Sequence, residues 1–299
     1  MSRALRDLIG LLDLEPIEHN IYRGLNRDIR TGRIFGGQVL AQSLVAAQRT
    51  VEDDVVAHSM HGYFILPGDL DVPVVYFVDR LRDGRSFATR RVTAIQHGRA
   101  IFNMSCSFQR AEEGLSHQAD MPEVPPPEEL EPEIEMVRAM ADRIPAAQRA
   151  VLTQDRPLDI RPVERVDLFD PEPREPVRHI WMRARGDVPE QALHHQALLA
   201  YASDYGLLGA ALQPHGRSHR QPEVMAATLD HALWLHRPCR MDEWLLYAID
   251  SPASGGGRGF ARGSFFTRDG TLVASVAQEG VIRVRDAGGT SPRSGGGSS

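Results

Sequence analysis

Leu5, Leu8, Ile9 and Leu12 recur at i, i+3, i+4 and i+7, a spacing that predicts a short amphipathic helix at the N-terminus. Residues 17–25 read as a strand, and residues 33–51, glycine-rich at their start, read as a helix. Gly36, Gly37, Ala41, Ala46 and Ala47 would let that helix approach a sheet closely; two glycines alone make no nucleotide fingerprint. Runs of β-branched and aromatic residues then follow to about residue 109, with Asp83-Gly84 and His97-Gly98 as hairpin punctuation. One helix lying on a curved antiparallel sheet is the expected arrangement of this half.

Past Ala111 the pattern changes. PEVPPPEELEPEIE, residues 122–135, reads as an exposed proline- and acid-rich linker, and a helix is predicted from 134 to about 152. RPLDIRPVERVDL and VRHIWMRAR alternate like strands. HHQALLAYASDYGLLGAAL, residues 194–212, predicts one helix that is apolar on nearly every side, with Asp204 in its middle. A carboxylate among leucines is costly to bury unless something partners it; the alternative is a narrow solvated stripe beside Ser203. The tail DAGGTSPRSGGGSS lacks core-forming residues and is expected to be disordered. The expected division is 1–111, a linker with a helix at 112–155, 156–286, and a tail at 287–299.

The second half repeats the first. GRSFATR (84–90) matches GRGFARG (257–263), HGYFIL-P (61–67) matches HALWLHRP (231–238) with one residue inserted, and HGRAIF (97–102) matches DGTLVA (269–274). A repeat of this length is a domain-sized duplication, so two helix-plus-sheet units should pack side by side as a homodimer of single units would. The copies differ in polar residues. The first-half helix has no acid where the second carries Asp204; His58 corresponds to Thr228, and Cys106 to Gln278. Alternation sets Leu272, Ala274, Val276 and Gln278 on one face, and Thr228, Asp230, Ala232, Trp234 and His236 on another. Asp204, Thr228 and Gln278 are expected to converge where helix crosses sheet. Such a group can hold a water: the carboxylate takes its proton while hydroxyl and amide orient it.

Composition excludes several alternatives. The net charge of -6 argues against general nucleic-acid binding. All 34 basic residues are arginine, which removes lysine Schiff-base chemistry and the P-loop lysine. No apolar run approaches the roughly 20 residues that span a bilayer, and Asp7 and Asp13 interrupt any secretion-signal reading. Cys106 and Cys239 form no CxxC, so no disulfide framework or zinc cluster is indicated, and a cytoplasmic protein is expected. GxSxG is absent, leaving a serine acyl-enzyme unsupported; Ser254 reads as part of a flexible turn. Asp230 and His236 form a second candidate acid–base pair. A metal site at His231 and His236 is disfavoured because alternation puts them on opposite faces. His194 and His195 read as solvated, and Arg85, Arg90, Arg91, Arg258 and Arg262 as mostly surface charges that could meet an anionic ligand.

RIFGGQVLAQSL, HSMHGYFILPGD, LRDGRSFATRRVTAIQHG, QALLAYASDYGLL, TLDHALWLHRP and VASVAQEGVIR, in that order between about Ser2 and Arg283, closely resemble the bacterial acyl-CoA thioesterase II family. The resemblance implies an α+β double hot-dog, two tandem helix-wrapped antiparallel sheets joined into one, and hydrolysis of fatty acyl-CoA to fatty acid and coenzyme A. The family's acid–hydroxyl–amide triad falls on Asp204, Thr228 and Gln278. No cofactor or metal is implied; the partners implied are the acyl-CoA substrate and further copies of the chain, as dimers or tetramers. Burial is expected to raise the pKa of Asp204 above its reference of about 3.9. Peroxisomal relatives end in a Ser-Lys-Leu type signal, whereas GGSS here favours a bacterial cytoplasmic member. The competing readings are an enoyl-CoA hydratase on the same fold, using Asp230 and His236, and a non-catalytic acyl-CoA-binding protein.

Overall fold

The computed structural model describes residues 1–28 and 32–285, so the expected disordered tail lies outside the described residues. The N-terminal helix forms as α1 (Arg3–Leu12), with Leu5, Leu8 and Leu12 buried and the Ser2 hydroxyl accepting the Leu5 N–H. The segment expected as one strand is a hairpin, β1 (Glu15–Glu18) and β2 (Ile21–Gly24), because Asn20 turns the chain at φ 60°. Then come α2 (Gly36–Gln48), β3 (Val55–Phe64), β4 (Val74–Asp83), β5 (Phe87–Gln96) and β6 (Arg99–Arg110).

The helix expected at 134–152 is two short ones, α3 (Glu133–Ala139) and α4 (Ala146–Leu152), parted at Pro145, whose ring has no N–H to continue the ladder. The second half continues with β7 (Leu158–Pro162), β8 (Val177–Ala184), α5 (Ala192–Ser203), α6 (Leu207–Leu212), β9 (Val224–Thr228), β10 (Asp230–Leu235), β11 (Leu245–Gly255), β12 (Arg258–Thr267) and β13 (Leu272–Val284).

Among the described residues these strands form one 13-stranded sheet in the order β1-β2-β4-β5-β6-β3-β10-β13-β12-β11-β8-β7, with β9 also on β13. Each half contributes its own antiparallel set, and the two are sewn together only where β3 meets β10, with His231 opposite Gly62 and Ala232 opposite His61. This is the expected double hot-dog. Helices α2 and α5 lie against each other on the inner face. Eleven of the 13 residues of α2 and eight of the 12 of α5 are buried, which explains why neither shows an amphipathic stripe. Among the polar groups inside, Gln42 donates to the Leu11 and Leu25 carbonyls and accepts the Tyr76 hydroxyl at 2.6 Å. Among the described residues no helix is long and apolar enough to cross a membrane.

The proline-rich stretch is a strap across the outer face of the second half, not a free linker. Met121, Val124 and Leu130 pack on Trp181, Trp244, Leu246 and Phe266, and the Trp181 indole N–H donates to the Pro125 carbonyl at 2.9 Å. Its apolar positions are too sparse to show in the pattern, but they match an outer sheet face that would otherwise expose two tryptophans.

Both halves carry a β-bulge at the same place. In β3 the register shifts between Ala57 and Ser59, leaving His58 as the extra residue. In the second half Thr228 faces Gly280 while Ala232 faces Ala277, so three residues oppose two and the extra one sits at the β9–β10 junction, around Leu229.

Candidate active site

Asp204 does not sit mid-helix. Helix α5 ends at Ser203, Asp204 caps it, and Gly206 at φ 82° turns the chain into α6. Only glycine adopts that conformation without strain, so Gly206 sets the break and leaves Asp204 half-buried at the corner. The carboxylate is received by the other half of the molecule: its Oδ2 accepts the Gly37 N–H at 3.0 Å, in the first turn of α2. The positive end of α2 therefore faces the acid.

Gly36 and Gly37 make this approach possible. A Cβ on Gly36 would lie 2.6 Å from Asp204 Oδ2, and one on Gly37 would overlap the Tyr201 carbonyl oxygen. The glycine pair thus serves close packing, here of helix on helix end. Phe35 caps the contact, its ring edge-on to Tyr201 and Tyr205 at 5.1 Å from each.

The second-half bulge completes the site. Strict alternation would set Thr228 on the face of Asp230 and Trp234; the extra residue reverses the parity, so Thr228 and His231 both point inward while Asp230, Ala232 and Trp234 point out. Aligning the two bulges makes Ala57, Met60 and Cys106 the first-half counterparts of Thr228, His231 and Gln278. The match of Cys106 with Gln278 holds, whereas Thr228 corresponds to Ala57 and not to His58. The first half is apolar where the second is polar.

Asp204, Thr228 and Gln278 come together as one network. Thr228 Oγ1 donates to Asp204 Oδ1 at 3.4 Å, and Gln278 Nε2 donates to Thr228 Oγ1 at 3.1 Å. Gln278 is fully enclosed, and its Oε1 lies 2.6 Å from His231 Nδ1; His231 Nε2 is 2.8 Å from the Ser203 hydroxyl. Tyr247 donates to the Ser203 carbonyl at 2.8 Å, and both burial and the Asp204 charge push its pKa well up. Sequence reasoning missed His231 because alternation assigns it to the opposite face, and periodicity carries no signal for a bulge.

Burial pushes the pKa of His231 from 6.5 down to about 4, against a smaller upward pull from Gln278. The unfolded chain therefore binds a proton that the folded one refuses. The contribution of His231 to stability is complete above about pH 6.5 and is lost as pH falls toward 4, by about 3 kcal/mol. Urea unfolding at pH 7 and at pH 5 should show the loss, and His231→Asn should reduce its pH dependence.

The other candidates stand apart. Asp230 Oδ1 accepts the Glu279 N–H at 2.7 Å and His236 bonds Ser275 at 2.8 Å, both on the outer face. Six residue spacings put them about 20 Å apart along the strand, too far for an acid–base pair. His195 is buried, not solvated, and accepts the Met241 N–H at 3.0 Å. Arg90 is also buried, its guanidinium held by the Thr50 hydroxyl, Asp83 and the carbonyls of Thr50, Arg82 and Thr89, while Arg258 and Arg262 pair with Glu279 and Asp250. Ser254 is exposed near the end of β11.

Known proteins share this architecture. Residues 147–281 match the acyl-CoA thioesterase family and residues 26–109 the acyl-CoA thioesterase N-terminal domain. The chain is 42% identical to human acyl-coenzyme A thioesterase 8, over 92% of this chain and 88% of that protein. It is 39% identical to acyl-CoA thioesterase 2 of Haemophilus influenzae, over 95% and 99% respectively. The crystal structure of acyl-CoA thioesterase II TesB2 from Mycobacterium marinum superimposes with a TM-score of 0.77 at 42% identity, covering 94% of this chain and 100% of that one. Likeness of this extent over both halves and the seam between them leaves one assignment: the chain belongs to the acyl-CoA thioesterase II family and is a thioester hydrolase.

Proposed function

We propose that the enzyme hydrolyses fatty acyl-CoA to free fatty acid and coenzyme A by direct attack of a water that Asp204 activates. The observation that carries this reading is the Thr228 hydroxyl, set between the Asp204 carboxylate at 3.4 Å and the Gln278 amide at 3.1 Å. Asp204 takes one proton from the water as its oxygen bonds to the acyl carbon. Thr228 and Gln278 fix the water's orientation, and the positive end of α2 stabilises the charge gathering on the carbonyl oxygen. The carbon–sulfur bond then breaks and the thiolate departs, collecting the proton. Phe64 beside Gly36 and Leu208 beside Gly280 offer the acyl chain an apolar surface next to the acid.

A second reading is suggested by the 2.8 Å contact of Ser203 with His231, the pairing a serine nucleophile uses. Ser203 is 0% exposed and its hydroxyl also lies 2.8 Å from the Ala200 carbonyl, so no acyl group reaches it. The test follows thiol and fatty acid together across saturated acyl-CoAs of increasing chain length and an enoyl-CoA. Equal release of both without a burst is expected; a thiol burst would favour the acyl-enzyme, and loss of the enoyl group without thiol would favour hydration.

A cytoplasmic location and pairing of chains belong to the same reading. Two free cysteines suit a reducing compartment, and Tyr63, Phe77, Leu81 and Phe87 are exposed in the first half.

A further inference from the structure

We propose that His231 is the positioning residue of the site: its Nδ1–H holds Gln278 Oε1 and so fixes the amide with Nε2–H aimed at Thr228. The proposal rests on the reading of Asp204, Thr228 and Gln278 as the hydrolytic group.

A glutamine side chain has two ends of nearly equal shape and opposite hydrogen-bonding sense, and its neighbours decide which way it faces. Here one end meets His231 Nδ1 at 2.6 Å and the other meets Thr228 Oγ1 at 3.1 Å. With the proton on Nδ1, every hydrogen bond runs one way. Ser203 O–H donates to His231 Nε2, Nδ1–H to Gln278 Oε1, Gln278 Nε2–H to Thr228 Oγ1, and Thr228 O–H to Asp204 Oδ1. The chain starts and ends on adjacent residues, Ser203 and Asp204, so the break after α5 closes it into a ring.

With the proton on Nε2 the ring runs backwards. Ser203 then donates to the Ala200 carbonyl, 2.8 Å away, Gln278 turns over to donate to Nδ1, and the Thr228 hydrogen goes to Gln278 Oε1. Asp204 would lose the Thr228 hydrogen. The first arrangement gives up the Ser203 bond to the Ala200 carbonyl and keeps the Thr228 bond to Asp204; an ionised acid selects it, because a hydrogen bond to a carboxylate is about twice as strong as one between neutral groups. At 1% exposure His231 is walled off from solvent, and the group it bonds within the Asp204–Thr228–Gln278 network is Gln278, so it acts through that amide.

Three measurements test this. Nitrogen NMR of the ¹⁵N-histidine-labelled enzyme at pH 7 should find the His231 proton on Nδ1. His231→Leu should lower kcat about tenfold or more with KM little changed, while His231→Asn, whose amide N–H can take the place of Nδ1–H, should restore most of it. Adding His231→Leu to Gln278→Ala should cost almost nothing further, since one acts through the other. A proton on Nε2, a folded His231→Leu with unchanged kcat, or additive losses would each overturn the proposal; should His231→Leu fail to fold, the NMR result on the unaltered enzyme decides. Full activity in a folded Asp204→Asn enzyme would instead refute the underlying hydrolytic reading.

Discussion

Asp204→Asn should fold, bind acyl-CoA with little change in KM, and lose about 10³-fold in kcat, the range expected when a positioned base is removed. Asparagine keeps the shape of the side chain and an oxygen for the Gly37 N–H that Asp204 Oδ2 accepts at 3.0 Å, so the junction of the two halves survives. What it lacks is the ability to take a proton from water. Steady-state thiol release, with a thermal melt as the control for folding, reads the result. A well-folded variant that hydrolyses at the original rate would remove Asp204 from the chemistry.

Gly37→Ala should be the most damaging substitution to the fold relative to its size. The added methyl would overlap the Tyr201 carbonyl and lie 2.5 Å from the Phe35 ring, and backbone cannot step aside as a side-chain tip can. Forcing α2 away from α5 should cost about 3 kcal/mol, a large share of the roughly 5–15 kcal/mol that holds a domain together. The same movement withdraws the Gly37 N–H from Asp204, so activity per folded molecule should fall as well. Gly10→Ala is the matched control. It lies in α1 with nothing within 4 Å of an added Cβ, and should stabilise by up to about 1 kcal/mol. Urea unfolding of the pair separates the two cases, and equal stabilities would contradict the tight junction.

Much of this was legible in the chain. Alternation sorted Val276 and Gln278 inward, and the duplicated segments foretold two like units side by side. The differences between copies pointed to Asp204, Thr228 and Gln278, which do come together. The misses have definite causes. Gly206 inside an apolar run reads as a tolerated helical glycine, yet its left-handed backbone ends α5 and turns Asp204 into a cap. One extra residue near Leu229 reverses every later face assignment on the strand, which hid His231 and misplaced Asp230. The strap was misread because proline and acid dominate its composition, while three spaced apolar residues decide where it lies.

The contact of Gly37 with Asp204 crosses the seam between the halves, so neither half alone could furnish a complete site. Two separate subunits would assemble it in proportion to their concentration and lose it on dilution. A covalent connection replaces that encounter with an effective concentration in the millimolar range. The ratio of complete sites to chains is then set by the polypeptide itself. With Ala57, Met60 and Cys106 at the mirrored position, the proposed hydrolytic group makes that ratio one and not two.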